Sequence, residues 1–86
     1  MKIVFQKPFR KSLEKLAPKL RAKVQEAVLN FTQNPFDRSL HNHPLKGSMV
    51  GLRSFSVTGD MRIIFEEYEN YTLVLMLDVG THNQVY

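Results

Sequence analysis

The spacing of apolar residues divides the chain into two halves with different periods. From Phe9 they recur at Leu13, Leu16 and Leu20, then at Val24, Ala27, Val28 and Phe31, as on one face of a helix. Pro18 interrupts this run, because inside a continuous helix its ring would clash with the preceding turn. The pattern therefore predicts two helices, about 8–16 and about 18–33. Pro8 falls in the first turn of one, where its missing N–H is not needed, and Asn34-Pro35 ends the other.

Before the helices, KIVF at 2–5 reads as a short strand. From Val50 the period changes to two. GLRSFSV, MRIIFEE and YTLVLMLDV read as three strands, separated by turns at Thr58-Gly59-Asp60 and Glu69-Asn70. Turns this short imply antiparallel neighbours. In the last strand Leu73, Leu75, Leu77 and Val79 alternate onto one face, which the helical stripe would cover. Residues 34–49, with two prolines and Gly47, read as a long loop. The expectation is an α+β fold in one domain spanning 1–86, ordered β-α-α-β-β-β, its two N-terminal helices packed on an antiparallel sheet whose other face is open.

Charge changes the picture more than bulk composition does. A net charge of +4 conceals an asymmetry: residues 1–53 carry 11 Lys/Arg against 3 Asp/Glu, and residues 54–86 carry 1 against 5. A basic half on so small a body favours a polyanionic partner, although lysines on solvated helix faces account for part of it. The absence of cysteine removes disulfides and thiolate chemistry and suits a reducing compartment. The first residues lack the apolar core of a signal peptide, and the longest apolar run, LVLML at 73–77, is far too short to span a membrane. A soluble cytoplasmic protein without a membrane partner is expected.

Four stretches, HPLKG at 43–47, LRSF at 52–55, GDMRIIF at 59–65 and VGTHNQVY at 79–86, together with the basic helical part before them, resemble the RelE/ParE superfamily of small bacterial toxins, and most closely its YafQ-like branch. The resemblance implies a toxin of a type II toxin–antitoxin pair, an mRNA endoribonuclease that acts in the ribosome and is silenced by a cognate acidic antitoxin. Such cleavage needs no metal or other cofactor: the RNA 2′-hydroxyl attacks the adjacent phosphorus and expels the 5′-oxygen, so protons must be moved and charge stabilised. Carried over position by position, the resemblance implies acid–base roles for His43 and His82, a catalytic role for the turn carboxylate Asp60, and a phosphate contact for Arg62. Tyr86 matches an aromatic that meets a base, and Lys46 and Arg53 are neighbouring basic candidates for RNA binding. The chain departs from the branch at Ser56, where another catalytic histidine would stand, at Met61, which replaces an aromatic, and at Asp78, near an expected arginine. These departures leave open whether the chain cleaves RNA, inhibits DNA gyrase by binding as ParE-like proteins do, or survives only as a catalytically decayed antitoxin-binding module.

Two imidazoles with ordinary pKa values near 6.5 can divide base and acid roles near neutral pH, which binding alone would not require. His41 reads as incidental. A zinc site built from His41, His43 and His82 is chemically allowed, but its ligand spacing is a weak signal. Asp60 sits in a turn where aspartate is common for backbone reasons, and the alternation of Arg62 with Ile64 puts both on one sheet face.

Overall fold

The computed structural model covers residues 1–86. Strand β1 (Lys2–Phe5) leads into α1 (Lys7–Glu14), with Pro8 in its first turn, and α2 (Pro18–Gln33) begins on Pro18 itself. Each proline thus stands where a helix has no use for an N–H. The break between the helices is closed by Arg21, whose guanidinium donates to the Leu16 carbonyl at 2.7 Å. After α2 come a 3₁₀ turn at Arg38–Leu40, a two-residue strand β2 (His43–Pro44) and a second 3₁₀ turn at Gly47–Met49. Strands β3 (Arg53–Ser56), β4 (Met61–Tyr68) and β5 (Leu73–Thr81) follow, and a four-residue helix, α3 (His82–Val85), ends the fold.

The five strands lie in the order β1-β5-β4-β3-β2. Three of the four pairings are antiparallel, but β1 runs parallel to β5, with Lys2 opposite Leu73 and Phe5 opposite Met76. The sheet is therefore mixed, a correction to the antiparallel expectation. The short-turn argument governs only consecutive strands, whereas β1 reaches its place through the helical crossover. The loop expected over 34–49 also contributes a strand, because His43 and Pro44 pair with Ser54 and Arg53.

One face of the sheet is sealed by the helices. Phe9, Val24, Ala27 and Phe31 meet Phe55, Met61, Ile63, Phe65, Val74, Met76 and Val79 in one core. Phe31 stacks on Phe55 with centroids 4.5 Å apart and meets Phe65 edge-on at 5.0 Å, geometries favoured by the aromatic quadrupole. In β5 the buried apolar side chains are Val74, Met76 and Val79, not the leucines at 73, 75 and 77, which remain partly exposed. The alternation breaks at a bulge: Ile64 faces Asp78 while Phe65 faces Met76, so Leu77 is an extra residue. One inserted residue shifts the inward phase, which is why a strict period of two misassigned the face.

The second face is not fully open either. Ser54 is completely buried and Ile64 nearly so, although neither belongs to the helix-side core. The chain turns back after Thr81, whose side chain and that of Gln84 form a reciprocal cap on α3. Gly80 permits the fold-back: a β-carbon there would lie 2.8 Å from Gln84 Oε1 and 3.2 Å from Val85 Cγ1.

Candidate functional site

Antiparallel pairing places opposed side chains on the same face, and on the face away from the helices this assembles a polar surface. One row across the sheet runs from His43 to Ser54 to Ile64, and the next from Ser56 to Arg62 to Gly80. The expected sharing of a face by Arg62 and Ile64 is thereby realised. A groove of about 500 Å³ opens here, lined by His41, His43, Ser56, Arg62 and Gly59 among others. The Arg62 guanidinium donates to the Ser56 hydroxyl, so a half-buried cation is held in place beside an imidazole.

His43 is oriented by its neighbour. Its Nδ1 lies 2.7 Å from the carbonyl oxygen of His41. A carbonyl can only accept, so Nδ1 holds a proton and Nε2 is the ring nitrogen left to meet a ligand. His41 aims this carbonyl from a left-handed backbone conformation, φ 52° and ψ 44°, one that histidine adopts more readily than most residues. The residue read as incidental thus sets the tautomer of the one read as functional. Nothing in the spacing of HNH signals this, because the information lies in a backbone angle.

Tyr86 does not fray. Its hydroxyl donates to Ser54 Oγ at 2.6 Å, and its ring meets His82 edge-on with centroids 4.4 Å apart. His82, exposed at the first position of α3, is thus linked to the sheet face only indirectly, by its contact with the Tyr86 ring. It does not line the groove. Asp60 is exposed at the β3–β4 hairpin, one residue beyond the lining residue Gly59.

The basic candidates divide. Lys46 is exposed just after β2. Arg53 is opposed to the core residue Phe65, its Nε donates to Asn42 Oδ1 at 2.9 Å, and its guanidinium lies 5.8 Å from the centre of the Phe36 ring. These contacts tether it on the opposite side of β3 from Ser54 and Ser56. Asp78 accepts a hydrogen bond from Ser12 of α1 at 2.7 Å and one from its own neighbour's N–H. Met61 is buried in the core. No group of three His, Asp or Glu side chains is placed to hold a metal ion, so the three histidines do not form the zinc site that their ligand chemistry allowed.

Ser54 and Ser56 escaped the sequence reading as contributors. The usable signal was present: small hydroxyl residues two apart in a strand otherwise rich in large side chains mark a face that something else approaches.

Electrostatics set the edges of this surface. Asp37 is held below the usual carboxylate range, first by the Ser39 hydroxyl and then by the Ser39 N–H, both of which donate to it. This caps the 3₁₀ turn that brings Ser39 to the groove. At the other end of β4, Glu66 raises the pKa of the Tyr68 phenol, chiefly through a side-chain hydrogen bond.

Comparison with known proteins agrees with this architecture. The family described as the bacterial toxin of type II toxin–antitoxin system, YafQ, matches residues 1–86. The chain belongs to this family of toxins. Among solved structures, YafQ from Escherichia coli BL21(DE3) superposes with a TM-score of 0.80 at 24% identity, covering 98% of this chain and 96% of that one. A RelBE toxin–antitoxin complex from Mycobacterium tuberculosis gives 0.78 at 26% identity, covering 94% and 96%. The DinJ–YafQ complex from E. coli gives 0.71 at 22%, covering 98% and 96%. No curated protein sequence is significantly similar to the chain. No helix is long and apolar enough to cross a membrane.

Proposed function

We propose that this toxin is an mRNA endoribonuclease that works within the ribosome, cutting RNA through its own 2′-hydroxyl. The observation that carries the reading is the His43–Arg62 groove: an imidazole whose Nδ1 proton is committed to a carbonyl, facing the same cavity as an arginine anchored by Ser56.

In this reading His43 Nε2 takes the proton of the 2′-hydroxyl as that oxygen closes on phosphorus. Arg62 faces the phosphate and stabilises the charge that gathers on its oxygens. The 5′-oxygen leaves with a proton from His82, and Tyr86, fixed by its contacts with Ser54 and His82, offers its ring to an unstacked base. Asp60 and Lys46 belong to the rim over which the strand enters. Arg53 is assigned to holding Asn42 and Phe36 rather than to RNA.

The partner that silences the toxin is proposed to be an acidic antitoxin, as the RelBE and DinJ–YafQ complexes suggest. Lys7, Arg10, Lys11, Lys19 and Lys23 on the two helices, and Lys15 just past the end of α1, are exposed and would attract it, so its association should slow and weaken with rising salt.

The test is induced expression without antitoxin. Growth should stop and mRNA should break into fragments ending in 2′,3′-cyclic phosphate, while His43→Ala, Arg62→Ala and His82→Ala, each folded, should lower cleavage by about 10²–10⁴-fold. Intact transcripts alongside a folded wild-type protein would reject the nuclease. A second reading, a toxin fold retained for antitoxin binding alone, draws support from Ser56, which brings a hydroxyl where an imidazole was expected, and from Asp78, which is engaged by Ser12. It predicts antitoxin binding with no cleavage. A supercoiling assay run in parallel separates both from gyrase inhibition.

A further inference from the structure

The His43–Arg62 groove does not end at Ser56. A second hollow of about 490 Å³ shares Ser39, Ser56 and Val57 with it and continues to α2, where Lys23, Glu26, Asn30 and Gln33 reach it. The two hollows form one trench that passes around the end of β3 from the sheet face to the flank of α2.

Their chemistry differs. The first holds Arg62 and two imidazoles with no carboxylate, as a phosphate requires. The second sets one cation, Lys23, against one anion, Glu26, and groups the carboxamides of Asn30 and Gln33 with the apolar side chains of Leu29, which is exposed, and Val57. A charge-balanced pocket does little for a phosphate. Apolar surface for a ring face, with amides and a carboxylate at its edge, is what an unstacked nucleobase requires. Asn30 has only a long internal bond, Nδ2 to Ser39 Oγ at 3.4 Å, so its amide can turn to a ligand at little cost.

We propose that this α2 hollow is a base-recognition subsite, receiving a nucleotide beyond the two that flank the phosphate lying against Arg62, with Asn30 and Gln33 reading its edge. The inference rests on the nuclease reading for the occupant of the first hollow, and adds a determinant of sequence preference outside the catalytic groups.

The experiment is a titration of the ¹⁵N-labelled full chain with 2′-O-methyl oligoribonucleotides, which bind without being cut, from two to four nucleotides long. The side-chain amides of Asn30 and Gln33 should shift with the tetranucleotide, and affinity should rise at least about fivefold between the dinucleotide and the tetranucleotide. Asn30→Ala combined with Gln33→Ala should remove that gain and leave dinucleotide affinity unchanged, with a well-dispersed amide spectrum confirming the fold. Shifts at His43 and Arg62 with stationary Asn30 and Gln33 amides, or a length gain that survives the double substitution, would overturn the subsite alone. Absence of shifts at both places would overturn it together with the nuclease reading.

Discussion

The two faces of the sheet are built on opposite principles. On the helix side, large apolar groups interlock until nothing is exposed: Phe31, Phe55, Phe65, Ile63 and Met76 are all completely buried. On the other side, strand positions of the opposite parity carry Ser54, Ser56, Arg62 and His43, and a four-residue helix covers only part of them. The first face derives its strength from area and packing, the second its definition from a few directed hydrogen bonds. Within β3 and β4 the parity of a residue therefore separates the packed core from the candidate site, and substitutions two residues apart should have similar consequences where adjacent ones should not.

Phe31→Ala attacks the first face where three aromatic neighbours meet, and should cost about 3–5 kcal/mol in chemical denaturation. A chain this small holds roughly 4–13 kcal/mol in all, so a large unfolded fraction is expected; a loss below about 1 kcal/mol would show that the core relaxes and is less committed than its packing indicates. Gly80→Ala drives a β-carbon against Gln84 and Val85 and should cost about 1–3 kcal/mol. Hydrogen exchange should locate the disturbance in residues 81–86, with the core amides still protected. Tyr86→Phe removes only the hydroxyl that reaches Ser54, at about 0.5–1.5 kcal/mol; if it loosens the last turn while leaving the melting of the core unchanged, the two faces are energetically independent.

The smallest effect concerns acid. The folded-state pKa of Asp37 is lowered, so its contribution is fully present above the unfolded value and is lost as pH falls through the folded one. Asp37→Asn should therefore matter near neutral pH and cease to matter in strong acid. Exchange of the Ser39 N–H against pH checks the sign: protection that grows toward low pH would contradict the cap.

Most of the helix-side face is legible in sequence because it follows from periodicity. The spacing from Phe9 to Phe31 and the two prolines place both helices within a residue or two of where they lie. The bulge at Leu77 and the parallel partnership of β1 were not legible, since neither leaves a local mark: one depends on how β4 and β5 compete for register, the other on a crossover more than sixty residues long. In the candidate site the chemistry-bearing residue types were visible at His43, Arg62, His82 and Tyr86, but their grouping was not. His82 lies outside the groove, against Tyr86, Arg53 stands behind the strand rather than before it, and His41 acts through a carbonyl that every residue possesses.

The pairing of β1 with β5 has a consequence for how such a toxin comes into being. During synthesis the first strand must wait, unpaired, until residues 73–81 emerge, because its one partner, β5, lies between it and β4 and comes last of the five strands. The candidate site shares that strand through Gly80, which lies opposite Arg62. A chain cut short of this segment would lack Val74, Met76 and Val79 from the core and leave β1 without a partner.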